Sequence, residues 1–287
     1  MGRIFLAIGF SLASVLAAYG QSVITIEANV LNSVTQEPIE FANIGFLNRG
    51  MGTVSNERGK FILRFDEDRV LDEDVFQIST LGYETQQFVA KELYTYLEST
   101  SVIYLDPKLY ELDQVLITSK TRVPLILGNT TLSEGKIGYW KDRDGLGGEI
   151  ATRVRVPKRD TKLKNLSFHV LDNLSDSLKI RVNIYQYKNR FPKENLLKAN
   201  IYHTIDEEKG KVSIPLSDYD IVVDDDIVVS IELVRFYGND IYFSVAAHDG
   251  GGISYTRTRS QDKWVRYMGT GMGFSLDASA PKKKSRK

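Results

Sequence analysis

Polar and apolar residues alternate along much of the chain with a period of two, the pattern of a half-buried β-strand. Residues 23–30 (VITIEANV) set it, and residues 59–65, 75–80 and 101–105 repeat it. Turn-forming clusters separate these runs: Asn48-Arg49-Gly50, Asn56-Glu57-Arg58-Gly59 and Asp66-Glu67-Asp68. Residues 90–98 read as a short helix. Farther along, residues 149–156, 178–187, 227–234 and 241–247 predict more strands. Short strands with so little helix between them predict sheets packed face to face, not a parallel sheet.

The pattern breaks at residues 119–134, where Pro124, Gly128 and Asn129-Thr130-Thr131 read as a linker. The chain therefore divides into a β-sandwich over residues 21–118, the linker, a second β-sandwich over residues 135–277, and a basic tail, 278–287. The two sandwiches are expected to be separable. A length of 287 residues suits two ordinary domains, and 42% hydrophobic residues suffice for two cores.

The first twenty residues read differently. Arg3 precedes an apolar run over residues 4–18, which closes on Ala18-Tyr19-Gly20. The run is shorter than the roughly 20 apolar residues that span a bilayer, and small residues stand where a signal peptidase needs them. A signal peptide over residues 1–20 is expected, cut between Gly20 and Gln21, with Ala18 and Gly20 as the recognition pair. No later run is apolar enough to span, so the mature chain is expected to lack a transmembrane segment. Export without a single cysteine excludes disulfides, thiolate chemistry and a lipidated cysteine, and suits a bacterial envelope. The expected location is the periplasm, the outer-membrane surface or the cell surface.

Charge separates the parts further. Residues 23–118 carry 16 acidic against 7 basic side chains, a net of −9. Residues 135–277 carry 20 against 22, a net of +2. Nothing in this balance calls for a nucleic-acid partner.

Several pieces of the first domain, in order, resemble the carboxypeptidase regulatory-like module, a transthyretin-like β-sandwich. They are Glu37-Pro38-Ile39 with Phe41-Ala42-Asn43-Ile44, then Gly52-Thr53-Val54, Asn56-Glu57-Arg58-Gly59-Lys60-Phe61, Leu81-Gly82-Tyr83 and Leu112-Asp113-Gln114-Val115. Ala28 and Glu40 depart from it, standing where the family usually has glycine, and Asn32 where aspartate is common. The resemblance implies an all-β fold of seven or so strands and a non-catalytic companion role. Gly52 and Gly59 are expected to bracket a hairpin, with Phe61 inward and Tyr83 packed beside Gly82. Residues 252–264 (GISYTRTRSQDKW) resemble the closing segment of a jelly-roll-like domain that accompanies this module in other envelope proteins.

Candidate chemistry is sparse. His169, His203 and His248 lie in strand-like text without metal-site spacing. No nucleophile elbow occurs. Gly269-Thr270-Gly271-Met272-Gly273 lacks the lysine and helix of a phosphate loop and reads as a strand connection. Asp224-Asp225-Asp226 offers carboxylates for calcium, but neighbours on a strand point to opposite faces, and an acidic turn explains them. The second domain holds most of the aromatic residues and both tryptophans. Tyr255, Arg257 and Trp264 are the expected ligand-binding residues, because Trp and Arg concentrate binding energy.

The function expected from these readings is non-catalytic: an envelope protein that binds or scaffolds an unknown protein or glycan, with no cofactor. The alternative is a carbohydrate-binding protein using the second sandwich, which requires an exposed aromatic pair in a groove. A hydrolase with an unrecognised site stands third.

Overall fold

The computed structural model describes residues 22–108, 121–239 and 241–282. The leader with Ala18, Gly20 and Gln21, the Leu112-Asp113-Gln114-Val115 piece and the last five residues of the tail lie outside the described residues.

The fold is all-β, as the alternation predicts. Among the described residues the first unit contains seven strands, β1 (Val23–Asn32), β2 (Asn43–Phe46), β3 (Met51–Val54), β4 (Lys60–Asp66), β5 (Val75–Ser79), β6 (Gln86–Val89) and β7 (Val102–Leu105), with helix α1 (Ala90–Ser99). Two sheets result, β4-β1-β7 and β3-β2-β5-β6. Between them lies a core that includes Val30, Phe46, Phe61, Phe76, Ile78 and Ile103. Fully burying one such side chain stabilises by roughly 1.5–3 kcal/mol. Phe61 points inward as expected, and Tyr83 packs on the core while its hydroxyl accepts a hydrogen bond from Asn32 Nδ2. Gly59 and Gly82 have φ of +73° and +90°. Gly52 corrects the reading: its φ is not positive, and the reason for glycine there is a close approach described below.

The second unit is a 13-stranded sheet folded over one large core. Its strands are β8 (Arg122–Gly128), β9 (Lys136–Trp140), β10 (Glu149–Val154), β11 (Thr161–Asn173), β12 (Ser177–Lys188), β13 (Phe191–Asn195) and β14 (Ile201–Ile205). They continue as β15 (Gly210–Pro215), β16 (Val222–Val223), β17 (Ile227–Tyr237), β18 (Phe243–Arg257), β19 (Val265–Met272) and β20 (Ser275–Pro281). The expected linker 119–134 is corrected: β8 lies inside it and pairs along its whole length with β20. The expected tail also begins too early, because residues 278–281 complete β20 with Ala278 and Ala280 buried.

Strand β18 organises this unit. Its first half pairs with β9 and β11, its second half with β10, and β19 pairs with it from Ala247 to Thr256. Ala247 pairs with both Lys136 and Met272, which puts β9 and β19 on opposite sides of it. Ser254 pairs with both Tyr267 of β19 and Thr152 of β10, so β9 and β10 flank the same side. One lies beside the first half of β18, the other beside the second.

Candidate functional site

Residues 254–264 serve three places at once. Period-two alternation sends Ser254 and Thr256 to one face of β18 and Tyr255 and Arg257 to the other. The loop beyond, Thr258 to Trp264, reaches the first unit.

On the Arg257 face, four charged residues stand side by side across four strands. Register pairs Arg257 with Glu149, Glu149 with Glu232, and Glu232 with Arg181. Both carboxylates and Arg181 are at most 3% exposed. Arg181 donates from Nε to Glu232 Oε2 at 2.9 Å and from Nη2 to Oε1 at 2.8 Å. Asn183 adds a bond to Glu232 at 2.7 Å, and Tyr185 donates to Glu149 at 3.0 Å. Ser230 donates to Glu149, and Arg257 forms a salt bridge with it. Burial raises the Glu149 carboxyl above its usual range while Arg257 pulls the other way. Burial acts on Glu232 in the same sense, yet Arg181 overrides it and holds that carboxyl below its usual range. Buried charges need this degree of pairing to be tolerated at all.

The first unit covers one end of this row. Arg181 Nη1 donates to the Phe41 carbonyl at 2.9 Å and Nη2 to Asn43 Oδ1, while Asn43 Nδ2 donates to Glu232 at 2.6 Å. Phe41 takes φ of 52°, uncommon for a bulky residue, and packs edge-on to Tyr202 at 5.2 Å. Gln261 enters from the loop, donating to Ser79 Oγ at 2.9 Å and accepting from Gln77 at 2.9 Å. Its neighbour Ser260 lies so close that a Cβ on Gly52 would sit 2.0 Å from its carbonyl oxygen. Glu57, from the resembling Asn56-Glu57-Arg58-Gly59 piece, pairs across the same boundary with Arg235 and Lys179.

The expected ligand residues are brought together here, but as packing. Tyr255 is fully buried, its ring 6.4 Å from that of Trp264, and its hydroxyl donates to the Arg190 carbonyl at 2.9 Å. Trp264 is half-buried, edge-on to Tyr185 at 5.7 Å, with the Arg257 guanidinium over its ring at 5.0 Å. Tyr255 and Trp264 are therefore not exposed together, which a docking pair requires.

Residues of β9, β10, β18 and β19 line a cleft of about 570 Å³. Ser254, Thr256, Thr258 and Thr270 line it with hydroxyls, and Lys136 and Lys141 stand on its walls. Tyr139 and Tyr267 also line it, each 48% exposed. Deeper in, Trp140 stacks on Phe243 at 5.1 Å. Among the described residues Trp140 Nε1, Ser254 Oγ and Arg257 Nε have no hydrogen-bond partner, although all three atoms are buried. Arg257 alone of the three expected residues lines this cleft. Gly138 fits between Ile150 and Met272, where a Cβ would meet their side chains at 2.7 and 2.8 Å. The cleft residues escape sequence reasoning because serine, threonine and tyrosine on a strand also read as ordinary solvent-facing positions. The signal available was Ser254, Thr256 and Thr258 repeating at every second position.

The other candidates take structural places. Asp226 pairs with Arg153 and accepts from the Val156 N–H, while Asp224 accepts from the Asp160 N–H at 2.7 Å. Among the described residues no group of three or more metal-ligating side chains converges. Residues 269–272 run within β19, followed by Gly273, and open no helix. His169 and His203 lie on β11 and β14, and burial holds His203 below its usual pKa. No helix of the described residues is long and apolar enough to cross a membrane.

No family model matches the chain, and no curated protein matches it. Among solved structures it is similar to the cysteine protease and lectin-like domains of Cwp84, a surface layer associated protein of Clostridium difficile. Identity is 11% and the TM-score 0.35, and the match covers 51% of this chain and 36% of that one.

Proposed function

We propose that this chain is a non-catalytic binding protein of a bacterial envelope, that its first unit is a carboxypeptidase regulatory-like module acting as a scaffold, and that its ligand occupies the cleft beside β18. One observation carries the reading: two half-exposed tyrosines and the buried, unpartnered Trp140 Nε1 and Ser254 Oγ line the same concavity. Buried polar groups ordinarily find partners, so unpartnered ones in a cleft favour a ligand. The sequence leader supports export. Glu149 supports a binding role over a hydrolytic one, because its fully buried carboxyl is engaged by Arg257, Ser230 and Tyr185.

A glycan is the favoured ligand, since Tyr139 and Tyr267 supply the exposed aromatic pair that sugar rings stack on. The test is titration of a panel of envelope oligosaccharides, followed by tryptophan fluorescence in a Trp264→Phe background that leaves Trp140 as reporter. Tyr139→Ala and Tyr267→Ala are each expected to weaken binding by about 1 kcal/mol or more without lowering stability. Undiminished binding in the double variant would place the site elsewhere. Mass spectrometry of the mature protein from its own envelope is expected to show an N-terminus at Gln21.

A further inference from the structure

We propose that the cleft selects an acidic saccharide, one whose rings carry anionic substituents. The inference rests on the reading of the cleft as the binding site and concerns which charge it accepts. The acids that line the cleft are already occupied. Glu149 is held by Arg257, and Asp142 faces Arg259 at 3.4 Å while its Oδ1 accepts from the Asp144 N–H at 3.0 Å. The two lysines are not. Among the described residues neither Lys136 nor Lys141 forms a salt bridge, and the Lys141 ammonium has only the Tyr139 ring, 5.7 Å from its centroid.

The unpartnered donors lean the same way. An indole N–H and a guanidinium Nε–H donate and never accept, so Trp140 Nε1 and Arg257 Nε both call for acceptors on the ligand. The complementary molecule therefore has flat apolar ring faces for Tyr139 and Tyr267, an excess of acceptor oxygens, and negative charge for two lysines. Neutral sugars meet the first demand and part of the second. Acidic ones meet all three, and charge-assisted hydrogen bonds are stronger than neutral ones.

Calorimetric titration with tetragalacturonate, its fully methyl-esterified counterpart and a sulfated galactose tetramer decides the matter. Tighter binding of either charged tetramer than of the ester, by about tenfold or more at low salt and shrinking as salt rises, is the expected result. The two charged arms separate carboxylate from sulfate recognition. In Lys136→Gln/Lys141→Gln that preference is expected to disappear, the affinities for the acids and the ester converging. Equal binding of acid and ester overturns this inference and leaves the glycan reading standing. Failure of all three tetramers to bind overturns both. A preference that persists in the double lysine variant also overturns it, because the selecting charges then lie outside the cleft.

Discussion

Glu149 and Glu232 are neighbours in one cross-strand row, yet their environments push them in opposite directions. Glu149 has a raised carboxyl pKa, so its contribution to stability is fully present below the unfolded-state value and is lost as pH rises through the folded one. Glu232 has a lowered pKa, so its contribution is present above the unfolded-state value and is lost as pH falls. The two isosteric substitutions should separate them. Glu232→Gln strands the buried Arg181 charge and is expected to cost about 3–5 kcal/mol near neutral pH. Glu149→Gln mimics the protonated acid and is expected to cost less, most clearly at the acid end, and to reduce the loss of stability as pH rises. Urea unfolding of the three proteins from about pH 4 to 8 measures both. Equal losses with parallel pH profiles would contradict the assignment. None of this was legible in the sequence: Arg181, Glu232 and Glu149 sit in strands where a charge ordinarily marks the solvent face. Cross-strand register and the covering first unit reverse that meaning.

Elements were easier to read than their partners. Strands with clean alternation, such as β1 and β4, the nearly continuous apolar run of β17 and helix α1 stand where the pattern put them. Three others were obscured for physical reasons. Strand β8 contains Pro124, which lacks an N–H but is tolerated because β8 is the edge of its sheet. Strand β11 carries a register shift between Leu163 and Asn165, so its apolar residues change phase midway. Strand β20 presents Ala278 and Ala280 to the core, too small to show as a hydrophobic pattern. The β2–β3 hairpin illustrates the same gap. Its Gly52 reads as a turn residue, but Gly52 and its neighbour across the hairpin, Gly45, let the hairpin lie flat against Ser260 of the other unit. Gly52→Ala should therefore act as overpacking against backbone that cannot yield, costing about 1–3 kcal/mol. Limited proteolysis is expected to show faster cutting in the loop from Thr258 to Trp264. A Gly82→Ala control has open space around it, and its strain from φ of +90° should not change that cutting.

At the scale of the whole molecule, the question is whether two sandwiches behave as two. The sequence presents a break near residues 119–134 and a change of net charge across it, the usual marks of independent units. The contacts argue the other way. Phe41, Val54 and Val234 form one buried cluster that spans both units, and Asn43, Arg181 and Glu232 close a hydrogen-bonded ring beneath it. Separating the units would leave Arg181 and Glu232 with fewer bonds and expose Phe41, which is fully buried. The native chain is therefore expected to unfold in a single calorimetric transition, with calorimetric and van't Hoff enthalpies in agreement. Arg181→Ala leaves Glu232 without its charge partner and deprives the Phe41 carbonyl and Asn43 of their donor. That change should weaken the coupling more than it weakens either core, because the apolar clusters of the two units are untouched. The expected outcome is two resolved transitions, the lower one shifted down by several degrees. Two transitions already present in the native protein would show that the charged row decorates the boundary without coupling the units, and the first domain could then be studied alone.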